Sequence, residues 1–300
     1  MLSKKEYTFL IVSSICLLLA GWFYFGSPNE KEPRQIEAII VPNNSKWQQD
    51  RLMAGLEQAA KELAVEISYK TVSKEEYVIQ QEEGNTNLRD LEGVILYGGP
   101  LKKGVIASQE KVVNLEVASY KKESVVSTEF QKGKSLGAYI QATHPVIEEV
   151  IYWQDSTSPN STERTEGLKE ELPTQKIEGI IGSVETVMEK VTSFSSSGRV
   201  CLIMDTGQQV SDYQAYTSRG KDEPIKSYVI DFSDSILVAI DREEIEAAVF
   251  QDEYSRGYQS VYQLINKGAE NLVSIPEISI INQENLFSKE LEPLLFPHNE

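Results

Sequence analysis

Eight short, continuously apolar runs, separated by segments with helical hydrophobic spacing, constrain the fold of this chain more than any other feature. The runs are Glu37–Val41, Gly93–Tyr97, Lys111–Leu115, Glu149–Trp153, Ile177–Ile181, Arg199–Met204, Ser227–Ile230 and Glu246–Phe250. Runs without polar alternation suit strands buried on both faces of a parallel sheet. Between them, Leu52, Met53, Leu56, Ala59, Ala60 and Leu63 recur at helical spacing within Lys46–Leu63. Ser45, three before Gln48, places that helix's start by a capping-box pattern. Asn160 with Glu163 opens a second helix leading through Leu168 and Leu172, and Tyr254, Tyr258, Val261, Tyr262 and Ile265 stripe a third. Alternating β and α units mean an open α/β sheet with right-handed crossovers, and so many runs point to two sheets.

The chain starts differently. Thr8 to Phe25 is almost wholly apolar, with no charge between Glu6 and Glu30. At ~1.5 Å rise per helical residue it covers close to the ~30 Å hydrocarbon thickness of a bilayer. Lys4 and Lys5 precede it, which keeps the N-terminus cytoplasmic and sends the rest across. A cleaved signal peptide is the competing reading. Bulky Trp22, Phe23 and Tyr24 stand where a peptidase needs small residues, and Cys16 lies too deep in the run for a lipoprotein acceptor. The expectation is an uncleaved single-pass anchor at the cell membrane, with the remaining domain extracytoplasmic. Gly26–Arg34 reads as its juxtamembrane tether.

Beyond the anchor lie about 270 residues, enough for one large domain or two lobes. A net charge of −17 argues against a nucleic-acid partner, which needs clustered Lys and Arg. Cys201 is the one cysteine outside the anchor, so no disulfide framework is expected. His144 and His298 are far apart, which argues against a histidine metal site or a nucleophile pair. No cofactor is implied, and no phosphate-cradling loop or nucleophile elbow suggests an enzyme.

Polar residues recur just past the strand ends: Asn43 and Asn44, Gly98 and Gly99, Asp155, Asp205 and Thr206, Phe232 to Asp234, and Gln251 and Asp252. In open α/β sheets ligands bind outside the carboxyl ends of the strands. Turns and helix caps use the same residue types, so each single position has a structural alternative.

Several stretches resemble one family. They are Ile36–Leu63 (IEAIIVPNNSKWQQDRLMAGLEQAAKEL), Val112–Glu116, Val126–Tyr139 (VSTEFQKGKSLGAY), Glu163–Leu172 (ERTEGLKEEL), Val249–Tyr258 (VFQDEYSRGY) and Pro276–Leu286 (PEISIINQENL). Together they resemble the sugar-binding type I periplasmic binding proteins, related to the ligand domains of lactose-repressor-type regulators. The resemblance implies an α/β fold of two lobes, each a mostly parallel sheet flanked by helices, closing around a ligand. Its layout here is an anchor and flank at 1–27 and a linker at 28–34. The N-terminal lobe takes 35–128 and 252–277, the C-terminal lobe 129–251 and 278–290, and a tail 291–300.

Carried over by position, Arg164 is the guanidinium fork for ligand hydroxyls, Gln251 a hinge amide and Asp205 an acceptor. Trp47 covers a ring face beside Asn44, with Phe232 on the opposite lobe. Arg164 alternatively pairs with Glu163 or Glu166 along its own helix, and Trp47 alternatively belongs to its helix's core. The chain departs from the pattern where Glu116 replaces an aspartate and Glu129-Phe130 an Asp-Asn pair. Phe232-Ser233 leaves Asp234 one residue late, and Lys46 stands for an aromatic. The resemblance thus implies a sugar or polyol ligand and a sensor kinase or ABC transporter permease as membrane partner. The alternative is an interaction module that keeps the fold without a ligand.

Overall fold

The computed structural model describes residues 34–42, 46–83, 91–99, 112–121, 124–156, 161–195, 199–219, 225–266 and 278–295. The apolar run at 8–25, residues 26–33 of the tether, Asn43 to Ser45, Asn160 and residues 296–300 lie outside them. Among the described residues, no helix is long and apolar enough to cross a membrane.

The order opens with β1 (Arg34–Ile40), α1 (Lys46–Leu63), β2 (Val65–Thr71), α2 (Lys74–Glu83), β3 (Gly93–Tyr97) and β4 (Val112–Asn114). A short pair follows, β5 (Val117–Lys121) and β6 (Ser124–Ser127), then α3 (Thr128–Thr143), β7 (Glu149–Trp153), α4 (Ser161–Glu171) and β8 (Lys176–Ile180). Next come α5 (Val184–Ser195), β9 (Val200–Met204), α6 (Gly207–Thr217), β10 (Lys226–Val229), α7 (Asp234–Asp241) and β11 (Ala247–Phe250). The chain ends with α8 (Glu253–Ile265), β12 (Ser279–Asn282) and α9 (Glu292–Leu295).

Two sheets result. The first has the order β2-β1-β3-β4, and the second β12-β11-β10-β9-β7-β8. β1 runs parallel to β3 and β3 to β4. In the second sheet β8, β7, β9, β10 and β11 are parallel, and β12 closes the edge antiparallel to β11. All five residues of β9 are buried, as a central strand covered by helices on both faces requires. On one face, Val187, Val210, Tyr213, Ile236 and Ile240 of α5, α6 and α7 cover it. On the other, Leu136, Ile140 and Leu168 of α3 and α4 do so. The first sheet packs Ile36, Ala38 and Ile95 against Leu52, Leu56 and Val261 of α1 and α8. Tyr77 of α2 backs its opposite face. The chain enters the second lobe through β5–β6, returns for α8, and comes back for β12. Residues Gln35–Glu300 form one compact unit.

Each lobe is keyed by a glycine pair. A Cβ on Gly167 of α4 would fall on the Phe130 carbonyl of α3, and one on Gly133 of α3 would fall on the Arg164 carbonyl. Backbone thus packs on backbone, and α3 and α4 lie close enough for side chains on their facing turns to pair. Gly167→Val is therefore expected to cost about 2–3 kcal/mol through overpacking. A thermal melt reads this as a fall of about 5–10 °C. A shift under about 1 °C would show that the helices separate freely.

Candidate ligand-binding site

The carboxyl ends of the second sheet's strands meet the first turns of α1. Short strands that end in Asp, Ser, Thr or Gly place polar side chains and helix N-caps along one rim. Thr206 caps α6 in a full capping box with Gln209, and Ser233 caps α7.

Asp205, just past β9, has a fully buried side chain. It accepts hydrogen bonds from the Tyr152 hydroxyl, from Arg164 Nη1 at 2.6 Å, from Ser161 Oγ at 3.0 Å and from the Asp155 amide at 3.1 Å. Arg164 also donates its Nε–H to Glu129, which Lys132 holds from its other side at 2.7 Å. Burial by itself raises the Glu129 pKa, but Arg164 and Lys132 outweigh it and hold the carboxyl down at about 2. Arg164 thus pairs with neighbouring elements rather than along its own helix.

Glu116 lies past β4, buried, with its Oε1 accepting the Gly98 amide at 2.8 Å. Burial pushes its carboxyl up to about 7, against the pull of Arg256 and with Glu129 adding repulsion. Gln251 accepts from Arg256 Nη1 at 3.1 Å, and its buried Nε2 has no partner among the described residues. Arg256 is tied to Glu253 and donates to the Leu115 carbonyl, which links α8 to the segment carrying Glu116.

Trp47 is half-buried in the first turn of α1 and packs across the lobes. Its ring centroid lies 5.4 Å from Phe232 and 6.5 Å from Phe250, and its Nε1–H donates to Asp234 at 3.1 Å. At that separation the Trp47 and Phe232 rings touch each other, so a sugar ring does not fit between them. Gln48 Nε2 reaches Asp231 at 2.9 Å, and the Arg51 guanidinium lies 4.8 Å from the Trp47 centroid. Asn44 lies outside the described residues.

Arg164 and Asp205 are therefore in direct contact, as are Trp47 and Phe232, and Glu116 and Gln251 are joined through Arg256. A cavity of about 760 Å³ opens beside this assembly. Trp47 and Trp153 line it with Lys46, Gln154, Asp155, Gln208, Asp212, Asp231 and Ser233. Of the six described residues among the seven expected from sequence, Trp47 alone is among its lining. The sequence reading passed over Asp231, which directly precedes Phe232. A carboxylate just past a strand end is the signal that marks it, whereas Asp234 holds the Trp47 indole. Trp153 ends a strand and gave no separate signal. Among the described residues, no cluster of metal-ligating side chains forms.

Solved structures share this fold. GanP, a glucose-galactose binding protein from Geobacillus stearothermophilus, aligns over 85% of this chain and 99% of its own at a TM-score of 0.61 and 16% identity. A carbohydrate transporter solute-binding protein from Agrobacterium radiobacter, in complex with D-arabinose, aligns over 88% and 99% at 0.63 and 14%. The XylFII-LytSN complex aligns over 84% and 99% at 0.59 and 16%. The chain has the type I periplasmic-binding-protein fold. No family model and no curated protein sequence matches it. At these identities the likeness establishes the fold, and within that fold the rim just described is where the strands of both lobes point.

Proposed function

We propose that this chain is a membrane-tethered extracytoplasmic binding protein for a small sugar-like ligand, which it presents to a membrane sensor kinase or ABC transporter permease. The observation that carries the reading is the cavity at the strand ends, closed on one side by Trp47 from the other lobe. Its size falls within the ~300–1,000 Å³ range of small-molecule sites. The fold's neighbours include sugar-binding proteins, and one is XylFII with LytSN. The apolar run at 8–25 supplies the anchor, Gly26–Arg34 the tether, and the lobes follow the boundaries given from sequence. Glu116, Arg164, Asp205, Phe232 and Gln251 remain contributors to the closed site, acting behind or beside the cavity rather than along its wall, and Asn44 remains a proposed ligand contact.

A second reading is favoured by one observation. Arg164, Asp205 and Glu129 satisfy one another, as in a fold kept closed without a ligand that regulates a membrane partner.

Thermal melting of the full chain in detergent, against a panel of monosaccharides, polyols and aminated sugars, separates the two. A ligand at about 100 times its Kd stabilises by about 2.7 kcal/mol, which a melt resolves easily. The binding reading expects such a shift for at least one compound and its loss in Trp47→Ala. A flat response across the panel supports the ligand-free module instead.

A further inference from the structure

The cavity's charges name a ligand class. Lys46 is the one cation among the described residues that line it, against Asp155, Asp212 and Asp231 from three different strand ends and helices. Asp231 carries no ion-pair partner among the described residues. Its Oδ1 accepts from Gln48 at 2.9 Å and from the Phe232 amide at 2.7 Å, and its Oδ2 takes a 3.4 Å contact from the Gly207 amide. Despite these donors, burial pushes its carboxyl up to about 6, so a positive charge placed beside it has energy to recover. Asp212 takes a neutral donor, Gln208 Nε2, at 2.9 Å. Two indoles, Trp47 and Trp153, border the cavity, and indole rings suit C–H faces and cations. Trp47 already carries the Arg51 guanidinium against its ring. The deeper carboxylates Glu129, Asp205, Glu253 and Asp252 each form an ion pair with an arginine or lysine, whereas Asp231 feels Arg164 and Lys132 only at a distance and is held by neutral donors.

We propose that this cavity selects a polyhydroxylated ligand bearing a positive charge, an amino sugar or aminocyclitol, over the neutral sugar of the same shape. The proposal rests on the binding reading above and goes further by fixing the charge of the ligand. Hydroxyls find Gln154, Gln208 and Ser233, the ring finds an indole, and the ammonium finds Asp231 and Asp212.

Isothermal titration of the full chain with glucosamine, galactosamine, glucose, galactose and N-acetylglucosamine at pH 7 tests it. Expected is at least one amine bound tenfold or more tighter than both its hydroxyl and its N-acetyl counterparts. That ratio should shrink to threefold or less in Asp231→Asn and in Asp212→Asn. Equal affinity for amine and neutral partner overturns the charge selection and leaves sugar binding standing. Binding of neither class overturns both. A preference that survives in the two asparagine variants overturns the assignment of the ammonium to these carboxylates.

Discussion

Replacement of Arg164 by alanine is expected to destabilise the unit Gln35–Glu300 by about 3–5 kcal/mol, the cost of leaving buried carboxylates without their cation. Glu129 and Asp205 both lean on this guanidinium, and the Asp205 side chain has no exposure to water. Denaturant unfolding should register the loss in full, with a melting point lower by about 10 °C or more. Combining Arg164→Met and Lys132→Met with Glu129→Gln and Asp205→Asn removes the four charges together, and most of the stability should return, because a buried ion pair adds little over well-packed neutral groups. An Arg164→Ala variant within about 1 kcal/mol of the parent would show that the network is solvated. For a ligand to use Arg164 as a fork, this pairing has to open first.

Glu116→Gln works in the opposite direction and depends on pH. A carboxyl raised from 4.5 to about 7 in the fold costs nothing while protonated in both states. Between pH 4.5 and 7 the unfolded chain loses the proton that the folded chain keeps, so stability falls as pH rises. The full difference corresponds to about 3 kcal/mol above pH 7. Asp231, raised from 3.8 to about 6, adds a loss of the same sign over a lower window. Glu129, held at about 2, does the reverse: its contribution is complete above pH 4.5 and fades toward pH 2. The parent should therefore be most stable near pH 4.5. Glutamine at position 116 keeps the acceptor for the Gly98 amide and should flatten the decline. Unfolding curves at pH 5 and pH 8 read the effect. The variant should exceed the parent by less than about 1 kcal/mol at pH 5 and by up to about 3 kcal/mol at pH 8; equal curves at both would mean Glu116 is hydrated.

Elements carrying strong periodicity were legible in the sequence. The helix expected over Lys46–Leu63 and the strand over Glu149–Trp153 form with those bounds. β2 was not read, because its residues beyond Val65 are mostly exposed on a sheet edge and so carry no continuous apolar signal. β5 and β6 are short strands paired only with each other, outside both main sheets, and went equally unread. The site was legible by residue type and not by partner. Arg164 meets Glu129 and Asp205 across 35 and 41 positions, and the Gly133 and Gly167 contact of two helices brings the first pair together. Nothing in local sequence records that contact. The expectation of Trp47 and Phe232 on opposite sides of a ligand ring gives way to direct contact between them. An indole long enough to cross the lobes fills that space itself.

Hydrogen–deuterium exchange of the full chain with and without a bound amino sugar tests the location of the site most directly. Protection should concentrate at 46–47, 153–156, 206–209 and 231–233, the segments that wall the cavity. Binding that protects other segments while leaving these four unchanged would contradict a site at the carboxyl ends of the second sheet.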